Sequence, residues 1–294
     1  MPKAPLIELN NGYEIPAVGL GVFQSPPEET TGAVEAAIAC GYSLIDTAAA
    51  YGNEREVGEA VRASGIDRNE ILVESKLWIS DYGYDNALRG FEGSLKRLGL
   101  DYVDIYLLHQ PAPRDFEDTI AAYKALEKML ADGRTRAIGV SNFMPEQLNE
   151  LLARTEVVPA LNQIEIHPYF SQPEVRKAND DHGILNQAWS PIGGVYSYGK
   201  QSKRVLENPT LVALAEKHGK TPAQIVLRWH LDTGRAPIPK SVKPHRIAEN
   251  IDIFDFSLAE NEIAEIDALD TGVRGGPDPA SINTSTYQHR IEND

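Results

Sequence analysis

Three apolar segments of the chain each end in an ionisable side chain. They end at Asp46, Lys76 and His109, and Tyr51 follows the first of them five residues later. Taken singly, an aspartate at such a place usually caps a helix, a lysine is usually solvated and a histidine is usually structural. Parallel strands of one barrel bring their carboxyl ends to one rim, where all four side chains would meet. A carboxylate, an ammonium, an imidazole and a phenol in one place can hold and transfer a proton.

These segments belong to a regular alternation of short apolar runs and amphipathic stretches. We predict eight strands, in the runs 18–21, 43–46, 71–76, 103–109, 136–141, 160–164, 184–189 and 236–239. Helical patterns lie between them, at 28–40, 53–63, 84–98, 115–131 and 211–217, and Thr221-Pro222 opens another. The alternation predicts a single-domain α/β fold over residues 1–294, a (β/α)₈ TIM barrel with extra loops or helices at its C-terminal end.

Two further patterns bear on the fold. The segments 6–9 and 13–15 flank Asn10-Asn11-Gly12, and Asn-Gly favours the tight turn of a β-hairpin, so we expect an N-terminal hairpin. The alternative fold is an open doubly wound sheet, which carries an early G-x-G-x-x-G segment. Here Gly19-Leu20-Gly21 is followed by Val22-Phe23-Gln24, so that pattern fails and the barrel is favoured.

The charge and residue composition of the chain disfavour several classes of partner and location. The chain has 28 Lys and Arg against 43 Asp and Glu, a net charge of −15, which repels phosphate and disfavours a nucleic-acid or anionic-lipid partner. No run approaches the roughly 18 apolar residues of a membrane span, and residues 1–20 lack a secretory-signal pattern. Cys40 is the single cysteine, so no internal disulfide can form. We therefore expect a cytoplasmic protein.

Several longer motifs, in order and at consistent spacing, resemble those of the aldo-keto reductases. They are 46–54 (DTAAAYGNE), 139–143 (GVSNF), 162–165 (NQIE), 189–191 (WSP) and 238–242 (IPKSV). The resemblance extends from the hairpin to about Pro279. It is strongest to the prokaryotic branch that includes 2,5-diketo-D-gluconic acid reductases and small-aldehyde reductases.

The resemblance implies reduction of small aldehydes and ketones with NADPH, and it makes Asp46, Tyr51, Lys76 and His109 the catalytic tetrad. A free phenol titrates near about 10 and is a weak acid at neutral pH. An ammonium at Lys76 is expected to lower the pKa of Tyr51, and Asp46 would hold Lys76 charged. His109 would donate to the carbonyl oxygen or orient it. We therefore predict that Tyr51 is the general acid.

A basic segment near the last strand could bind the cofactor phosphate. Lys240, Ser241 and Arg246 place two cations and a hydroxyl within seven residues, which suits a 2′-phosphate, although a solvated helix start would look the same. The resemblance implies that Glu249 and Asn250 contact the adenine. It also assigns cofactor contacts to Val242.

The resemblance places the nicotinamide end of the cofactor at three other strand ends. Ser141, Asn142 and Gln163 would hold the carboxamide group, and Trp189 would stack on the ring. A buried core tryptophan is the alternative for Trp189. The resemblance also assigns cofactor contacts to the residues that follow this tryptophan, which are Ser190, Pro191, Ile192 and Gly193.

The substrate pocket is expected to be largely aromatic, with one polar departure. Phe23, Tyr51 and Trp78 would form an aromatic wall beside His109. Gln110 stands where relatives commonly have tryptophan, and Phe23 stands where some branches have it, so the pocket is expected to be more polar near Gln110. The segments 196–200 and 275–294 are candidate lids or ordinary surface loops.

Two other functions fit parts of the sequence. A nucleotide-binding sensor or regulatory subunit on the same barrel would bind the cofactor and turn over slowly, although the complete tetrad argues against it. A barrel hydrolase would need a metal or paired carboxylates, and the chain has no H-E-x-x-H motif and no cluster with metal-ligand spacing. We expect no bound metal. The family resemblance favours a monomer.

Overall fold

The computed structural model describes residues 4–193 and 205–292. The chain starts with a two-stranded antiparallel hairpin of β1 (Leu6–Glu8) and β2 (Glu14–Pro16), in which Ile7 lies opposite Ile15. Eight parallel strands follow, β3 (Leu20–Gly21), β4 (Leu44–Asp46), β5 (Leu72–Leu77), β6 (Val103–Leu108), β7 (Thr135–Ser141), β8 (Leu161–Glu165), β9 (Leu185–Trp189) and β10 (Ala236–Pro237). Each predicted run overlaps one of these strands, and β5, β7 and β8 extend one residue beyond their runs.

The eight strands pair in chain order and the sheet closes on itself. Neighbours are parallel from β3 through β10. At the seam, the Gly19 N–H donates to Pro237 O and the Gly21 N–H donates to Pro239 O, both at 3.2 Å. Gly21 is required there, because a Cβ atom would lie 2.8 Å from Ile238 O. The predicted (β/α)₈ barrel with an N-terminal hairpin is confirmed.

Helices connect the strands and cover the outside of the barrel. Those of the described residues are α1 (Pro27–Ala39), α2 (Glu54–Ala63), α3 (Tyr84–Leu98), α4 (Phe116–Ala131), α5 (Pro145–Leu152), α6 (Pro173–Asp180), α7 (Pro209–His218), α8 (Pro222–Asp232), α9 (Pro244–Ile251) and α10 (Glu260–Asp267). Helix α8 begins at Thr221-Pro222, and Thr221 forms a capping box with Gln224. None of the described helices is long and apolar enough to cross a membrane.

The barrel interior is apolar at one end and polar at the other. Ile15 of the hairpin packs with Leu44, Leu72, Ile105 and Leu161, so the hairpin closes the end at which the strands begin. Towards the carboxyl ends the interior instead holds a buried polar group, which consists of Asp46, Glu74, Lys76, Gln163 and Gln187. Buried charges persist only when they are paired and hydrogen-bonded, so this end of the barrel must be a connected network.

Candidate active site

Lys76 lies at the centre of the polar end of the barrel. Its side chain is fully buried, and its ammonium forms an ion pair with Asp46. The same nitrogen donates to Thr47 O at 2.9 Å and to Tyr51 Oη at 3.4 Å. An ammonium has three N–H donors, and these partners use all of them. Strands β4 and β5 thus bring the predicted acid, its cation and the carboxylate into one connected group.

Tyr51 is less acidic in the resting protein than the sequence suggested. Taken alone, the Lys76 ammonium lowers the pKa of Tyr51, as expected from the sequence. Burial of the phenol acts more strongly in the other direction, and the charges of Asp46 and Glu74 add to it. The net result raises the pKa of Tyr51 to about 12, so the predicted net lowering is wrong. Tyr51 therefore holds its proton firmly before reaction.

His109 follows β6 and lies against the aromatic side chains of the site. Its ring centroid is 5.5 Å from that of Tyr51 and 5.1 Å from that of Trp78, both edge-to-face. Burial, and after it the charge of Lys76, holds the pKa of His109 well below its usual range. The imidazole is therefore neutral at neutral pH and carries one N–H. Its Nδ1 has no hydrogen-bond partner among the described residues.

Asn142 joins the ends of three strands. Its side-chain amide donates to His109 O at 3.1 Å and to Ser141 Oγ at 3.0 Å. Its oxygen accepts from the Trp189 indole N–H at 2.9 Å, which fixes the orientation of that ring. Ser141 donates to Gln163 O at 2.8 Å. These contacts make a rigid wall beside His109.

The side chains beneath this wall include residues that we did not assign from the sequence. Gln163 Nε2 lies 2.9 Å from Asp46 Oδ1, 2.7 Å from Glu74 Oε1 and 2.7 Å from Gln187 Oε1. Gln187 in turn donates to Glu74 Oε2 at 2.9 Å. Strand alternation could have indicated that Glu74 and Lys76, two residues apart on β5, face the same interior.

These side chains surround a cavity of about 610 Å³ at the carboxyl ends of the strands. The residues predicted from the sequence that line it are Phe23, Asp46, Tyr51, Trp78, His109, Gln110, Ser141, Asn142, Gln163, Trp189, Ser190, Pro191, Ile192 and Lys240. Phe23 and Tyr51 pack with ring centroids 5.0 Å apart. Gln110 brings a polar group to this wall, and its Oε1 has no partner among the described residues. Gly193 directly follows the lining residues, at the edge of the described range.

The predicted phosphate-binding residues divide between the cavity and the neighbouring helix. Lys240 lines the cavity and donates to Gln24 O at 3.3 Å, whereas Ser241 is buried beside it. Arg246 is exposed in the first turn of α9. Three other predicted residues of this segment do not line the cavity, namely Val242, Glu249 and Asn250. Glu249 already accepts from the Thr221 hydroxyl at 2.9 Å.

The C-terminal tail covers part of the cavity. The N–H groups of Gly275 and Gly276 donate to the Glu165 carboxylate at 2.7 and 3.0 Å. Further along, the Trp78 indole donates to His289 O at 3.0 Å. Segment 275–294, which from the sequence is either a lid or an ordinary surface loop, places four residues at the cavity that the sequence did not indicate, namely Pro277, Ile282, Tyr287 and His289. The other candidate lid, 196–200, lies outside the described residues.

The cavity fits a nicotinamide dinucleotide on the evidence of its own side chains. Asn142 accepts a hydrogen bond from the indole N–H at the edge of the Trp189 ring, which leaves the flat face of the ring for stacking. Lys240 supplies a cation elsewhere in the lining of the same cavity. His109 and Gln110 line the same cavity, and the buried Nδ1 of His109 and Oε1 of Gln110 have no partner among the described residues, so both are available to a ligand. Among the described residues, no three His, Cys, Asp or Glu side chains are grouped as metal ligands would be.

Comparison with known proteins points to one family. The sequence model of the aldo/keto reductase family matches residues 17–271. A morphine 6-dehydrogenase from Pseudomonas putida is 54% identical over 97% of this chain and 98% of its own. A glyoxal reductase from Bacillus subtilis is 47% identical over 94% and 96%. A crystal structure of a Bombyx mori aldo-keto reductase in complex with NADP has a TM-score of 0.88 at 38% identity, covering 94% of this chain and 96% of that one.

Proposed function

The chain belongs to the aldo/keto reductase family, and from this we propose that it reduces aldehydes and ketones to alcohols with NADPH, with Tyr51 as the proton donor. The observation that carries the proposal is the Tyr51 hydroxyl, 3.4 Å from the buried Lys76 ammonium and on the wall of a cavity shared with His109 and Trp189. The chain is an NADP-dependent oxidoreductase that acts on carbonyl groups.

Each part of the cavity has a separate task in this proposal. NADPH, when bound, would supply the hydride for the carbonyl carbon. Trp189 would stack on the pyridine ring, and Ser141, Asn142 and Gln163 would hold its carboxamide. Lys240, Ser241 and Arg246 would bind the 2′-phosphate, with Arg246 on the exposed side of α9.

The proton moves from Tyr51 Oη to the carbonyl oxygen. Because burial raises the pKa of Tyr51 to about 12, the resting site keeps this proton available. The anion left on Tyr51 is formed next to an N–H of Lys76, which is already oriented towards it by Asp46 and Thr47. His109 is neutral and donates its one N–H to the carbonyl oxygen, so no positive charge at His109 competes with Lys76.

The substrate is proposed to be a small carbonyl compound that fits under the C-terminal tail. Similar proteins are named for a morphine alkaloid and for glyoxal, which differ greatly in size. The cavity of about 610 Å³ has an aromatic wall, to which Gln110 adds a polar side chain. This combination supports a broad range of aldehydes and ketones.

The direct test is NADPH oxidation measured with a panel of aldehydes and ketones of increasing size. We expect turnover with several members of the panel and retention of activity in the presence of a chelator. Tight NADPH binding with negligible turnover across the panel would instead favour the sensor function and contradict this proposal.

Removing the two cations of the proposed phosphate site should weaken the binding of NADPH but not that of NADH. In Lys240→Ala with Arg246→Ala, we expect the KM for NADPH to rise by about 10- to 100-fold while the KM for NADH stays nearly constant, because hydrogen bonds to a charged group are worth about 1.5–3 kcal/mol. Steady-state kinetics with both cofactors measure this. Lys128→Ala, on the exposed surface of α4, is the control. Equal losses for both cofactors would place the 2′-phosphate elsewhere.

A further inference from the structure

Glu74 is a second buried carboxyl group beneath the proposed proton donor. It is fully buried on β5 and faces the barrel interior, two residues before Lys76. Its two oxygens contact the amides of Gln163 and Gln187 at 2.7 and 2.9 Å. Asp46 Oδ1 lies 2.9 Å from the same Gln163 nitrogen, so the two carboxyl groups are neighbours. Glu74 thus contacts the glutamine proposed to bind the cofactor and lies beside the carboxylate that orients Lys76.

The contacts of the cluster require one more proton than two ionised carboxylates provide. Asp46 and Glu74 place their oxygens against one amide nitrogen, where two ionised carboxylates would repel each other, whereas a proton on one of them lets it donate a hydrogen bond to the other. The amide of Gln163 has two N–H donors but faces three oxygens, so it cannot supply the missing hydrogen.

The surrounding charges decide which carboxyl group carries the proton. Asp46 accepts from the Lys76 ammonium and from Gln163, so its negative charge is balanced. Glu74 has only amide donors, and none of the ion pairs among the described residues includes it. Burial, and next the charge of Asp46, raises the pKa of Glu74 to about 8. The other titratable groups that face this cluster are Tyr51 on its loop and His109 after β6.

We infer that Glu74 is a positioning residue that stays protonated during carbonyl reduction, donates its proton to Asp46 in a hydrogen bond, and holds Gln163 in place. This inference rests on the proposed function for its effect on turnover. Loss of the Glu74 proton adds a buried negative charge next to Asp46 and Lys76. That charge makes Tyr51 a weaker acid, so carbonyl reduction slows as the pH rises through the Glu74 titration.

Infrared spectroscopy of the whole protein tests the protonation state without turnover. The difference spectrum between the wild-type protein and Glu74→Gln should show a carboxylic-acid C=O stretch at neutral pH. This band should disappear with a midpoint near pH 8. The variant Glu54→Gln is the matched control, because Glu54 is also buried against β5 but is paired with Arg97. Glu54→Gln should keep the band. A wild-type protein without the band at neutral pH would overturn the inference.

Kinetics test the positioning role in the same variants. In the wild-type protein and Glu54→Gln, kcat for carbonyl reduction should fall about three- to tenfold across the Glu74 titration, because a like charge is added at short range in a buried site. Glu74→Gln cannot ionise and should lose this step while keeping most of its activity at neutral pH. Glu74→Leu, which removes the contact with Gln163, should also raise the KM for NADPH, and Glu74→Gln should not.

The stability of the folded protein gives an independent measurement. The folded chain binds the Glu74 proton more tightly than the unfolded chain, whose pKa is near the ordinary 4.5. This group therefore favours folding at low pH, and its contribution is lost as the pH rises from about 4.5 to about 8. Denaturant unfolding of Glu74→Gln should lack this decrease. A folded Glu74→Gln with the wild-type pH profiles of both kcat and stability would overturn the inference, even if the protein proves to be an active reductase.

Discussion

Tyr51→Phe should lower kcat for carbonyl reduction by about 10²- to 10⁴-fold, which is the usual contribution of a positioned general acid. Phenylalanine keeps the ring and its packing on Phe23 and His109 and removes only the hydroxyl. NADPH binding should change little, because Tyr51 is not proposed to contact the dinucleotide phosphates or carboxamide. Fluorescence titration with NADPH and single-turnover kinetics measure the two effects separately.

Tyr123→Phe is the matched control for this substitution. Its hydroxyl is also buried, and it donates to Val157 O at 3.1 Å on the outside of the barrel. We expect a loss of about 1 kcal/mol in the free energy of unfolding and unchanged kcat. If Tyr51→Phe reduced aldehydes at the rate of Tyr123→Phe, the proton would come from another group, and His109 would be the next candidate.

The fold could be predicted from the sequence because barrel strands give a strong local signal. Runs such as 103–109 are mostly apolar, with Asp104 as the exception, and end in a polar residue, and the glycines after the helical patterns set the limits of the helices. The meeting of Asp46, Lys76 and His109 then followed from topology, because parallel strands end at one rim. These features depend on short stretches of sequence.

The network beneath the site could not be predicted in the same way. The contacts of Glu74 with Gln163 and Gln187 join strands β5, β8 and β9, and these residues are 89 and 113 positions apart. The sign of the pKa shift of Tyr51 depends on whether burial or the nearby ammonium is stronger, and burial is a property of the whole fold. The tail residues that line the cavity form no regular pattern, so only the structure places Tyr287 and His289 there.

The second large effect concerns Lys76, whose charge serves both the reaction and the folded state. Lys76→Met keeps similar length and removes the ammonium, so Tyr51 loses the group that stabilises its anion, and kcat should fall at least about 100-fold. The same change leaves Asp46 buried without its cation. Removing one partner of a buried ion pair costs about 3–5 kcal/mol, so the free energy of unfolding should fall by that amount. Stopped-flow kinetics and denaturant unfolding measure these effects.

A double variant separates the catalytic effect from the structural one. Combining Lys76→Met with Asp46→Asn removes the uncompensated charge, so most of the lost stability should return, because a buried ion pair can be replaced by neutral groups at little cost. Activity should stay low, since no ammonium is left near the Tyr51 hydroxyl. Recovery of turnover together with stability would mean that Lys76 only supports the fold. Low turnover in a fully stable double variant would show that the charge of Lys76 itself stabilises the Tyr51 anion.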